Sequence, residues 1–82
     1  MVAVQLEKAL EQIMIPRYKQ IEHVSVNPIG MSENWYKIIY YIKGKLEHQE
    51  AIEIIEETTN IYKMMGERGG DIIVSFKKAD EN

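Results

Sequence analysis

Trp35-Tyr36-Lys37-Ile38-Ile39-Tyr40-Tyr41-Ile42-Lys43 is the stretch that decides the fold. Aromatic and β-branched side chains dominate it, and such side chains suit a pleated, half-buried surface. Successive side chains of a strand point to opposite faces. Tyr36, Ile38, Tyr40 and Ile42 therefore share one face, while Trp35, Lys37, Ile39, Tyr41 and Lys43 share the other. The first face reads as core. The second mixes large apolar groups with lysines and needs something to cover it or something to bind.

Upstream, Asn27-Pro28-Ile29-Gly30 predicts a turn, with Met31 to Asn34 completing a loop. Asn suits the first turn position, Pro presets the second and Gly suits the fourth. Before it, His23, Val24, Ser25 and Val26 read as a strand that pairs with Trp35–Lys43 in an antiparallel hairpin. Ile21 is out of phase with Val24 and Val26, which a bulge or a late strand start would reconcile. A short second helix beginning at Pro16 is the alternative for this region. Further upstream, Val2, Leu6, Ala9, Leu10 and Ile13 recur at steps of three and four, predicting an amphipathic helix. Pro16 ends it, because the residue before a proline is pushed out of the helical region.

Downstream, Gly44 breaks the strand and a long helix runs from Glu47 to Met65. Ala51, Ile54, Ile55, Thr58, Ile61, Tyr62 and Met65 form its apolar stripe, and Glu53, Glu56, Glu57, Asn60 and Lys63 face away. Glu47 and Glu50 favour the positive start of the helix, and Lys63 its negative end. Gly66 suits the left-handed position after the last turn. Gly69-Gly70 predicts a turn into a final strand, Ile72–Lys77, and residues 79–82 read as a polar tail.

The expected fold is one small α+β domain spanning residues 1–82, in the order α-β-β-α-β. Its sheet is three-stranded and mixed, with an antiparallel hairpin and a long helix packed on it, since strand, helix and strand in sequence imply a crossover. Strand order is left open. Apolar residues on both sheet faces call for cover on both, by the first helix on one and the second on the other, or by a second copy.

A chain of 82 residues holds one modest core, burying roughly 60% of its unfolded surface. The absence of cysteine removes disulfides and thiolate metal sites. No run approaches the roughly 20 apolar residues of a membrane helix. Glu7 and Glu11 interrupt the start, which does not read as a secretory signal. A cytoplasmic location without membrane contact is the expectation. The formal charge of −3 gives no general attraction to nucleic acid.

Catalytic chemistry finds no complete set. His48 stands beside Glu47 and Glu50, but position 52, where a helical ligand pair would continue, is Ile. It reads as a solvated residue at a helix start. His23 beside Glu22 reads as a packed or rim histidine. Ser25, Ser32 and Ser75 lack a nucleophile motif. Glu50, Glu53, Glu56 and Glu57 read as a solvated helix face. Gly66-Glu67-Arg68-Gly69 has the GxxG spacing with which KH modules hold nucleic-acid backbone. A strand follows it at once, however, and helix capping accounts for it by local geometry alone. No catalytic residue, metal site or cofactor is expected, and the chain reads as a non-enzyme.

The remaining constellation is Trp35, Lys37, Ile39, Tyr41 and Lys43, with Lys77 extending it. Such a face suits a protein interface, where aromatics are enriched and lysine stems pack with their charges in water. It also suits stacked bases and phosphates, or cover by the first helix. The expected function is that of an accessory or regulatory protein acting by protein contact, as a homodimer or with another protein. Single-stranded nucleic-acid binding is the alternative.

Overall fold

The computed structural model describes residues 2–30, 34–65 and 70–79. Helix α1 (Val2–Arg17) leads into the hairpin β1 (Ile21–Pro28) and β2 (Trp35–Ile42). Helix α2 (His48–Met64) then crosses to β3 (Asp71–Lys78). The sheet order is β1-β2-β3, with β1 antiparallel and β3 parallel to β2. The expected α-β-β-α-β order and mixed three-stranded sheet are therefore present. β2 is central, and β3 pairs with β2 rather than with β1.

The hairpin register pairs Val24 with Tyr40 and Val26 with Ile38, and it slips between Ile21 and His23. That slip is the bulge the out-of-phase Ile21 called for. With Glu22 absorbed as the extra residue, Ile21, Val24 and Val26 are all buried. Pro16 does not begin a second helix. It lies in the last turn of α1, where the Tyr18 amide still donates to the Met14 carbonyl at 3.0 Å. Pro16 has no N–H to give the Gln12 carbonyl, and the helix ends at Arg17, one residue beyond it.

The predicted turn at Asn27–Gly30 is displaced. Asn27 and Pro28 belong to β1, and the Ile29 amide donates to the Trp35 carbonyl at 2.9 Å. Pro28 is accommodated because it sits on an edge strand, where its missing N–H costs no ladder bond. The reversal is made instead by Gly30 (φ 57°) and Asn34 (φ 65°), residues that tolerate the left-handed region. The loop residues Met31 to Glu33, the Gly66–Gly69 motif and the end of the polar tail lie outside the described residues.

Both helices pack on the same sheet face, so of the two ways left open for covering both faces, one helix on each is not adopted. Leu6, Leu10 and Met14 of α1 join Ile54 and Tyr62 of α2 in one cluster with Tyr36, Ile38, Tyr40 and Ile42. The physical reason is that this face offers an unbroken apolar row on every strand, whereas the other carries lysines. The buried stripe of α1 also runs through Ala3, Leu6, Leu10 and Met14, leaving the expected core residue Ile13 exposed. On α2, Ile54, Thr58 and Tyr62 are buried, while Ile55 of the predicted stripe is exposed.

Polar bonds fix α2 on the sheet. Thr58 donates its hydroxyl proton to the Ile54 carbonyl at 2.6 Å, so it accepts from the Tyr40 hydroxyl at 2.5 Å. The Tyr62 hydroxyl donates to the Asn34 carbonyl at 2.6 Å. At the start of α2, Glu50 accepts from the Glu47 amide at 3.2 Å and from the Gln20 side chain at 2.8 Å. No described helix is long and apolar enough to cross a membrane.

Candidate functional site

With both helices on one side, the opposite sheet face is left without cover by any described element. Strand register defines its membership, because paired residues point the same way. β2 supplies Trp35, Lys37, Ile39 and Tyr41. Opposite them β1 places Asn27, Ser25 and His23 beside Lys37, Ile39 and Tyr41. On the other side β3 places Asp71, Ile73, Ser75 and Lys77 beside Trp35, Lys37, Ile39 and Tyr41. The first helix, one of the three candidates for covering this face, does not do so.

The centre of the face is close-packed and its periphery is open. Ile39 is only 8% exposed, whereas Trp35 is 38% and Ile73 51% exposed. The His23 and Tyr41 rings lie 5.4 Å apart, tilted by 30°. Their contact gives the β1 end of the face an aromatic surface. Ser75 Oγ is buried beside Ile39 and has no hydrogen-bond partner among the described residues. Lys37 and Lys77 are exposed, and the acidic residues on this side are Asp71 on β3 and Glu22, the exposed extra residue of the β1 bulge. Lys43 falls past the end of β2. It sits at the rim, lining a small cleft of about 230 Å³ with Glu22, Gly44 and Ala79. Trp35, Lys37, Ile39 and Tyr41 are thus brought together, and Lys43 is at their margin.

Two further concavities flank the domain. One, of about 530 Å³, lies between the end of α1 and α2 and is lined by Arg17, Tyr18, Glu53, Glu56, Glu57 and Asn60. Glu57 there accepts from the Tyr18 hydroxyl at 3.1 Å and pairs with Arg17 at 2.9 Å. Burial, followed by the hydrogen bond and charge of Glu57, raises the Tyr18 phenol above its usual pKa. Glu57 is therefore partly engaged in joining the helices and is not a free member of an acidic run. The other, of about 460 Å³, opens at the ends of β2 and β3 over Ile42, Leu46 and Phe76, with Lys45, Lys77 and Lys78 around it.

The acid–base candidates remain apart. His48 is an exposed first residue of α2, and His23 touches Tyr41. Among the described residues no three of His, Asp and Glu come together as a metal-holding group. Sequence periodicity located β2's part of the face. The contributions of His23, Ile73 and Asp71 depend on register, which only the sheet pairing supplies. Comparison with protein families, curated proteins and solved structures returns no match.

Proposed function

We propose that this protein is an accessory or regulatory protein that works by docking another protein on its open sheet face, without chemistry of its own. The observation that carries this reading is the placement of Trp35, Ile39, Tyr41 and Ile73 on a face that both helices leave bare. Exposed aromatic and aliphatic groups, with lysine stems among them whose charges reach water, suit a protein interface. Lys37, Lys43 and Lys77 outnumber Asp71 and Glu22 on that face and its rim, so the complementary surface is apolar with carboxylates beside the lysines.

A photo-crosslinking residue in place of Trp35 or Ile73 tests this in cells. Covalent protein adducts are expected at both positions and not at the exposed Ile52 of α2. Absence of protein adducts at positions 35 and 73 would overturn the reading.

A second reading, single-stranded nucleic-acid binding, is favoured by one feature: the lysines interleave with Trp35 and Tyr41 at stacking and phosphate-binding positions. It predicts quenching of the chain's single tryptophan by oligothymidylate, weakening as salt rises. No quenching at low salt would remove it.

A further inference from the structure

The two edges of the sheet are treated differently. On β1, the outward-pointing Val26 amide donates to the Glu7 carboxylate of α1 at 2.9 Å. Two residues on, Pro28 has no N–H to offer on the same side. A charged plug and a proline are standard ways of blocking strand addition. Among the described residues the β3 edge has no proline and no plug from another element, and its charges, Asp71, Lys77 and Lys78, stand at its two ends. The Asp71 amide donates to Asn34 and the Ala79 amide to Ile42. The odd-numbered amides of β3 therefore face β2, and those of Ile72, Val74 and Phe76 face outward. Among the described residues only the Ile72 amide is met locally, by its neighbour's Asp71 Oδ1 at 2.8 Å. Cover is also incomplete. Ile21, Val24 and Val26 of β1 and Tyr36, Ile38, Tyr40 and Ile42 of β2 are buried, but Ile72, Val74 and Phe76 of β3 are only half-buried.

We infer that the β3 edge pairs with β3 of a second copy, antiparallel about a twofold axis through Val74. A twofold axis normal to the sheet keeps each side chain on its own face, so only residues of equal parity can oppose one another. The outward amides require the even-numbered residues to form the hydrogen-bonded pairs. With the axis at Val74, Val74 exchanges bonds with the partner's Val74, and Ile72 pairs with the partner's Phe76, its amide turning from Asp71 Oδ1 to the partner's carbonyl. On the open face Asp71 then lies opposite the partner's Lys77, twice by symmetry, and Ile73 lies opposite the partner's Ser75. Moving the axis to Ser75 would set Ile72 against the partner's Lys78 and Ile73 against the partner's Lys77, losing both charge pairs. An axis at Ile73 would match Ile72 with the partner's Val74 but set Asp71 against the partner's Ser75, so it is the two Asp71–Lys77 charge pairs that select the Val74 register. The product is one continuous sheet, β1-β2-β3 followed by β3-β2-β1. Its interface is isologous, and the Trp35 face of each copy stays free on a shared surface.

The test is solution mass by light scattering at tens of micromolar, against a chain mass of 9.6 kDa. A dimer is expected. Asp71→Lys sets like charges opposite each other at both symmetric positions and is expected to weaken the dimer about tenfold or more. Asp71→Lys combined with Lys77→Asp is expected to restore it to within about threefold. Both residues are exposed, so helical content by circular dichroism should not change. Because the chain has no cysteine, Val74→Cys reports the register directly. Mild oxidation should link two copies through position 74, while Ser75→Cys alone should not link. A monomer at all concentrations would overturn the proposal. So would a dimer that is indifferent to Asp71→Lys and fails to crosslink at position 74. A dimer sensitive to Trp35→Ser but not to Asp71→Lys would assign self-association to the open face instead, which separates failure here from failure of the docking reading.

Discussion

Thr58→Val probes how α2 is held on the middle of the sheet. The substitution keeps the side-chain shape but removes the oxygen that accepts the Tyr40 hydroxyl. Tyr40 and Thr58 are both fully buried, so the phenol loses its partner where water cannot replace it. A buried polar group left unpaired costs about 1–3 kcal/mol. In a domain of this size each 1 kcal/mol lowers the melting temperature by roughly 4–8 °C, so a fall of about 5–20 °C is expected. Tyr40→Phe combined with Thr58→Val removes both partners and should lie within about 1 kcal/mol of the parent. The assay is a double-mutant cycle from urea melts at pH 8. The same pair controls alkaline stability. Burial pushes the Tyr40 phenol up to about 12 from an ordinary 10.0. Folding therefore favours the neutral phenol, and this contribution is intact below pH 10 and lost as pH rises toward 12. A two-unit difference corresponds to about 2.7 kcal/mol. Tyr40→Phe should flatten the loss of stability between pH 10 and 12, leaving a smaller slope of the same sign from Tyr18. A loss below about 0.5 kcal/mol for Thr58→Val would refute the reasoning. So would single-variant losses that simply add, or an unchanged alkaline transition in Tyr40→Phe.

Glu7→Ala unplugs the Val26 amide and is expected to cost about 1–2 kcal/mol. The Val26 amide should exchange faster, and Glu7→Gln, which keeps an acceptor oxygen, should recover most of the loss. Gly70→Ala drives a Cβ into the backbone carbonyl of Asn34, the same oxygen that accepts from Asp71 N and the Tyr62 hydroxyl. Urea melts should register about 1–3 kcal/mol of overpacking, with the start of β3 and the Tyr62 anchor disturbed together.

Much of this architecture is local and was therefore readable. The alternation in Trp35–Lys43 assigned both faces of β2, and the phase of Ile21 against Val24 called for the bulge that the register shows. Boundaries set by competition between neighbouring signals were less legible. Pro28 reads as a turn residue, but an edge position without a ladder bond lets it extend β1. Ile13 and Ile55 satisfy helical spacing, yet each lies one residue off the stripe that meets the sheet. A step of one residue turns a helix by about 100°, so a small phase error reverses burial.

By itself, the sequence determined the kinds of element, their order and the division of β2 into a core face and a mixed face. These follow from side-chain periodicity and backbone restrictions, which act over a few residues. Tertiary structure alone decided that both helices crowd onto the Tyr36–Ile42 face, that β3 lies beside β2 rather than β1, and that Ile73, Asp71 and His23 join Trp35 on the bare side. It also decided that Glu7, far away in the chain, closes one sheet edge while the other stays open. Such outcomes depend on which apolar rows can be buried together and on strand register. No spacing within a single segment encodes either of them.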